Sequence, residues 1–237
     1  MSGLWQNPGT ATSLALLLTL GAYGIGLRIY QASGRNAILH PAIIAIVLLM
    51  ALLKLSGVSY QSYFHGAWFI HFLLGPATVA LGVPLYQNID PMRSRARSLL
   101  PALGLGAATA IVSAVLIAWL LGAHPTILRS LAPKSVTTPI AMAVAQELGG
   151  LPALAAGMVL ITGAIGCMIA PLIYRRLGIN DPAVQGFALG VNAHGFGTAK
   201  AFEFGPMAGA FAVLGLCLSG ALTAILLPLL WRLLGAP

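Results

Sequence analysis

Residues 99–121 read LLPALGLGAATAIVSAVLIAWLL, 23 residues without a charged side chain. A helix of that length is about 35 Å long, enough to cross the roughly 30 Å hydrocarbon core of a bilayer. Residues 10–28, 37–55, 151–174 and 207–230 are 19 to 24 residues long with almost no charge. The whole chain of 237 residues follows suit, with 59% hydrophobic residues, 7% charged residues and a mean hydropathy of +0.93. A soluble domain has about 25% charged residues, and disorder requires low hydrophobicity, so composition excludes both. The length has room for roughly six to eight membrane segments and short loops. The expected fold is an all-α integral membrane protein, a polytopic helical bundle.

Three further stretches are apolar but interrupted. Residues 68–86 carry Gly75-Pro76, Gly82 and Pro84. Residues 125–150 and 182–205 have shorter apolar runs and more polar side chains. Irregular backbone at membrane depth is tolerated only where protein buries it or a cavity receives it, so the last two segments are where function is expected. Sliding the chain by 57 residues lays 125–178 on 182–235, matching Pro125 with Pro182, Gly163 with Gly220, Pro171 with Pro228, Arg175 with Arg232 and Gly178 with Gly235. Apolar sequence matches itself easily, but each unit then reads as one broken segment followed by one full helix. The organisation expected is a scaffold of helices over 1–121, including the broken 68–86, and a core over 122–237 built from tandem units 125–178 and 182–235.

The net charge of +8 fits basic loops between spans better than a nucleic-acid surface, because no basic stripe is interleaved with exposed aromatics. Placing Arg28 and Arg35, then Arg93, Arg95 and Arg97, then Arg175-Arg176 on the cytoplasmic side makes 125–150 enter from the outer face and 182–205 from the inner. That is an inverted-topology repeat with two re-entrant segments, and it leaves the C-terminus with Arg232 outside. Cys167 and Cys217 lie in apolar runs and form no disulfide framework or metal spacing. Residues 1–10 lack a basic run and a cleavage site, so no removable signal peptide is expected.

The first broken segment contains Pro133-Lys134-Ser135-Val136-Thr137-Thr138-Pro139. Thr138 at the N-cap and Pro139 at the first helical position predict a half-helix from 140 to 148, ended by Gly149-Gly150. Its N-terminus, with Lys134, Ser135, Thr137 and Thr138 around it, suits a carboxylate or other small anion. Such hydroxyls also serve plain helix packing. The second segment contains Asn192, His194, Thr198 and Lys200 among glycines 186, 190, 195 and 197. Thr198 is expected to cap a second half-helix reaching 204. Gly186 and Gly190 form a GxxxG pair, more often a packing face, and His194 reads equally as a packed histidine or a ligand group.

There are only four acids. Asp90-Pro91 and Asp181-Pro182 read as helix N-caps followed by proline. Glu147 and Glu203, one per broken segment, read either as coupling groups or as neutralising partners for Lys134 or Lys200. No nucleophile elbow, metal-ligand cluster, carboxylate pair or phosphate loop is present, and His40, His65, His71 and His124 are scattered, so neither an enzyme nor a cofactor is expected.

The run from Pro133 to Ala141, followed by His194, Gly197-Thr198-Ala199 and Glu203, resembles the LrgB/CidB family, called antiholin-like; weaker likeness extends to Ser59–Phe64 and Pro76–Tyr86. Lys200 departs from it, since members have arginine there, and a lysine loses the bidentate fork. The resemblance implies one of two functions. Some members look like carriers of small monocarboxylates such as pyruvate, glycolate or glycerate, the last two in the plastid envelope. Others are named for control of murein hydrolases and cell lysis. It also implies the cell inner membrane, a smaller LrgA/CidA-type membrane partner and a homo-oligomer. The residues favour the carrier, working by alternating access, with Lys134, Ser135, Thr137, Thr138, Asn192, His194, Thr198 and Lys200 for substrate and Glu203 and Glu147 for coupling.

Overall fold

Twelve helices, and no strand, are found among the described residues, which in this computed structural model are 5, 7–34, 36 and 39–233. Arg35, Ala37, Gly235 and the first four residues, on which parts of the sequence reading fall, lie outside them. Among the described residues, five helical stretches are long and apolar enough to cross a membrane, or up to six if one bent pair counts as a span. Contacts group the chain into two compact units, residues 1–80 and 81–237.

The first unit contains α1 (Pro8–Ala32), α2 (Pro41–Ser56), α3 (Tyr60–Gly66), α4 (Trp68–Phe72) and α5 (Leu74–Ala80). Proline in the first turn starts α1 and α2, where its missing N–H costs no hydrogen bond. The stretch expected to cross at 37–55 is shorter than expected: α2 has 16 residues, about 24 Å, and α3 follows at a bend of 119°. Ser59 forces that end by capping α3, accepting a hydrogen bond from the Ser62 N–H. Ala15, Tyr63 and Ala67 form the core here, and the Tyr63 and Thr19 hydroxyls meet at 2.7 Å.

The second unit contains α6 (Gly82–Gln87), α7 (Ile89–Leu120), α8 (Pro125–Leu131), α9 (Thr138–Glu147), α10 (Pro152–Leu177), α11 (Pro182–Phe204) and α12 (Pro206–Leu233). The stretch 68–86, expected to be broken, is assigned to α4, α5 and α6, but Leu73 and Leu81 between them keep right-handed helical geometry, and Trp68–Gln87 taken together is long and apolar enough to cross a membrane. Helix α7 begins ten residues before the apolar run at 99, with Asn88 at its N-cap. Asp90 is therefore no cap; it lies in the first turn, where an acid favours the helix dipole. Asp181 does cap, accepting from the Ala183 N–H at 2.9 Å, and that bond and Arg95 hold its carboxyl below the usual range.

Glycine packing reveals the path of α11. Gly186 and Gly190 press on the backbone of Ala208 and Ala212, so closely that a Cβ at either would overlap it. Both intervals run in the same direction, so the first half of α11 is parallel to α12. At His194 the backbone leaves helical geometry (φ 42°, ψ −130°). Beyond it, Gly197 packs back on Leu189 and the Phe202 ring covers Gly209. Residues 182–204 therefore fold into a hairpin of two half-helices before α12 begins. The pair at 186 and 190 is a packing face. Phe187 and Val191 of α11 join Ala210 and Phe211 of α12 and Leu103 of α7 in the largest core cluster of this unit.

The preceding segment also folds back. Residues 131–137 turn, α9 returns, and the Leu151 N–H donates to Ser130 Oγ at 2.7 Å, closing the base. Arg95 with Asp181 (2.6 Å) and the Tyr174 hydroxyl with the Gln185 carbonyl (2.8 Å) gather the starts of α7 and α11 and the end of α10. Arg232 with Glu147 (2.8 Å) gathers the ends of α9 and α12.

The packing register makes a direct prediction. Gly190→Val, driven into the Ala212 carbonyl, is expected to cost about 1–3 kcal/mol or more, whereas Gly157→Ala, which meets nothing within 4 Å, should gain about 0.5–1 kcal/mol. Thermal unfolding of both variants in detergent checks this; equal tolerance would rule out the parallel packing of α11 on α12.

Candidate functional site

An open cleft of about 740 Å³, with Leu105, Thr109, Ser113 and Asn192 exposed along it, lies where the two folded-back segments meet. Lys134 and Ser135 come to it from the turn before α9, and Asn192 from the last turn before the break in α11. Thr109 and Ser113, one helical turn apart on α7, and Thr162 of α10 supply further hydroxyls; Leu105, Met158, Ile161 and Ile165 make the rest largely apolar. Of the residues read from sequence, Lys134, Ser135 and Asn192 are thus brought together.

Two prolines shape the first tip. Pro133 and Pro139 have no N–H to satisfy, and two tight turns bond those of Lys134 (to Leu131 O, 3.1 Å) and Val136 (to Pro133 O, 3.3 Å). The Lys134 ammonium donates to Ser135 Oγ at 3.4 Å. Lys134 is the cation lining the cavity, and Ser135 is 8% exposed. The half-helix begins one residue earlier than expected, with Thr137 at the N-cap and Thr138 inside, and Thr137 makes no capping bond with its side chain. Both are half-buried outside the cavity lining. Gly149 ends the helix with φ 77°, and the Gly150 N–H bonds to Ala145 O.

The second tip is held by its histidine. His194 is 3% exposed, and its Nε2–H donates to the Val159 carbonyl of α10 at 2.9 Å. The ring can lie there because residue 163 is glycine; a Cβ would stand 2.8 Å from His194 Cε1. Thr198 does not cap a half-helix. The reversal falls four residues earlier, at His194, and the buried Thr198 hydroxyl donates to the His194 carbonyl at 2.9 Å. His194 and Thr198 are therefore bonded to backbone behind the cavity wall.

Glu203 and Glu147 each have a basic partner. Glu203 meets Lys200 at 2.9 Å, one turn apart on α11, with the lysine the more buried of the two (side chains 28% and 12% exposed). Glu147 pairs with Arg232 in the open and not with Lys134. No group of three or more His, Cys, Asp or Glu side chains that could hold a metal occurs among the described residues. Sequence reasoning missed Thr109, Ser113 and Thr162; the one signal available was the one-turn spacing of Thr109 and Ser113 within the uncharged run 99–121.

The LrgB-like family model matches residues 19–233. The chain is 35% identical over 217 residues to the uncharacterised protein YwbG of Bacillus subtilis, covering 92% of this chain and 96% of that protein. It is 28% identical over 220 residues to antiholin-like protein LrgB of Bacillus mycoides and 27% to that of Bacillus cereus, in each case over 93% of this chain and 96% of the relative. No solved structure matches it.

His194 gives a test of how the second tip is held. Its φ and ψ belong to glycine's territory, a strain of about 1–3 kcal/mol. His194→Ala loses the ring and keeps the strain, while His194→Gly loses the ring and releases the strain. The glycine variant is expected to be the more stable of the two by about 1–2 kcal/mol, read as melting temperature in detergent; the reverse order would mean the backbone at 194 is unstrained.

Proposed function

The chain belongs to the LrgB-like family, and from that premise we propose that this multi-pass membrane protein is a carrier of small hydroxy- or keto-monocarboxylates working by alternating access. One observation carries the reading: two broken segments deliver Lys134, Ser135 and Asn192 to one cavity. A carboxylate there pairs with the ammonium and accepts from the Ser135 hydroxyl and the Asn192 amide, charge-assisted bonds of the stronger kind. The apolar wall receives a short carbon chain.

Alternating access would follow from an inverted-topology repeat of the tandem segments 125–178 and 182–235. Under the offset of 57, Ser135 corresponds to Asn192, Thr137 to His194 and Gly163 to Gly220. Gly163 of the first tandem segment packs on the second tip, and Gly220 of the second tandem segment packs on Ile140 behind the first tip. Such reciprocal packing is what two units of opposite orientation would make around a shared site. The Lys200–Glu203 pair, in the second half of α11, is the candidate for coupling. In this reading the protein resides in the cell inner membrane, assembles as a homo-oligomer and works with an LrgA/CidA-type partner.

The relatives' printed name favours a second reading, an antiholin-like regulator of murein hydrolases without transport. Uptake of labelled pyruvate, glycolate and glycerate into proteoliposomes separates the two. The carrier predicts saturable uptake, with Lys134→Gln raising KM about 10-fold or more, from loss of a charged hydrogen bond of about 1.5–3 kcal/mol. Absence of uptake for all three acids, with and without a pH gradient and with the partner co-reconstituted, would favour the regulator.

A further inference from the structure

Beside the first tip lies a second, small void of about 10 Å³, which shares Ser135 with the lining of the large cleft. Pro133, Val136 and Val191 wall it, and three hydroxyl residues face it: Ser135, Ser219 and Thr223. All three are deeply buried, at 8%, 2% and 4% exposure. We propose that one buried water molecule occupies this void, bonded by Ser135, Ser219 and Thr223, and that it ties the first tip to α12.

The volume is at the lower limit for one water and too small for a larger ligand. The hydrogen-bond inventory fits as well. Thr223 makes no hydrogen bond with its hydroxyl among the described residues. Ser219 spends its proton on the Leu216 carbonyl (3.2 Å), leaving its oxygen to accept. Ser135 accepts from Lys134, leaving a second lone pair to accept and its proton for a carboxylate in the large cleft. A water that donates to Ser135 and Ser219 and accepts from Thr223 makes three bonds, the usual number for a buried water. A small cation would suit the oxygens but not the neighbouring Lys134 ammonium, which bonds to Ser135 itself.

The other tip explains why a water is needed. His194 bonds its ring to the Val159 carbonyl and so ties the second tip to α10. The residue at the corresponding place, 57 positions earlier, is Thr137, whose side chain is too short to reach across. Water supplies that link toward α12, the counterpart of α10. Ser219 and Thr223 are then positioning residues, acting through Ser135 on Lys134; this consequence rests on the carrier reading, whereas the water does not.

The test uses the full-length protein in detergent. Thr223→Val, which keeps the shape and removes the hydroxyl, is expected to lower the melting temperature by about 2–4 °C, and Thr223→Ser to restore it. Combining Thr223→Val with Ser135→Ala should cost less than the sum of the two, since both break the same bridge. A Thr223→Val melting temperature equal to or above the parent's would overturn the proposal, because deleting a hydroxyl from a dry void is neutral or favourable. Should Thr223→Val fail to fold, density in a structure of the parent decides: a peak within about 3 Å of the three oxygens supports the water, and its absence at a resolution that shows other buried waters refutes it. For the positioning role, Thr223→Val should raise the KM of uptake at least 3-fold and Thr223→Ser should not. An unchanged KM beside a lowered melting temperature would overturn that role and leave the water in place. If no acid is carried at all, the melting and density results still decide.

Discussion

A backbone N–H or C=O in the hydrocarbon layer has no water to bond, so a helix can be interrupted there only if protein satisfies the groups the break exposes or a cavity receives them. The second unit carries two such breaks, and each solves the problem differently. At the first, prolines at 133 and 139 remove two donors, and short turns bond those of Lys134 and Val136. At the second, a side chain does the work: Thr198 bonds the His194 carbonyl, and the imidazole fastens the reversal to Val159. The cavity between the tips is where that requirement relaxes, and it is there that Lys134, Ser135 and Asn192 stand.

Keeping two hairpins inside one helical unit demands close approach, which small residues provide. Without a hydrophobic drive between helices in lipid, association relies on packing, and glycine and alanine let backbones touch. The contacts of Gly186 and Gly190 with α12 and of Gly163 with the His194 ring are of this kind. The same glycines that an isolated helix would find destabilising are what seat the second hairpin against α10 and α12. The exposed ion pairs Arg95–Asp181 and Arg232–Glu147 sit at the helix ends, where water screens them, so they register the ends more than they stabilise them.

Much of this was legible in the sequence because bilayer thickness converts apolar run length directly into spans. The long apolar helices follow from run length, and the interruption within 125–150 from the prolines and polar residues placed there. Start positions were less legible: α7 continues ten residues into a basic stretch that no apolar rule marks, and α2 ends at Ser56, short of a full crossing. The reversal at 194 looked like a cap at Thr198 because the positive φ falls on a histidine with glycine beside it. Nothing local distinguishes Thr109 or Thr162 from hydroxyls that merely pack; only the folding of α7 and α10 around the tips turns them to the cavity. The partner of Glu147 lies 85 residues away and has no local signature.

The two tips are equivalent in position but not in charge. Ser135 and Asn192 correspond under the 57-residue offset and both are polar, whereas Lys134 corresponds to Val191. In the proposed carrier one carboxylate therefore meets one ammonium, and the loaded site is close to neutral. That matters because an uncompensated charge at membrane depth is the costliest thing such a protein can hold. An empty site keeps the ammonium, half-buried beside Ser135, and a loaded one neutralises it, so the unloaded tip bears the larger penalty for closing off from water. A carrier with that asymmetry closes more readily loaded than empty, which is the condition for coupling occupancy to movement.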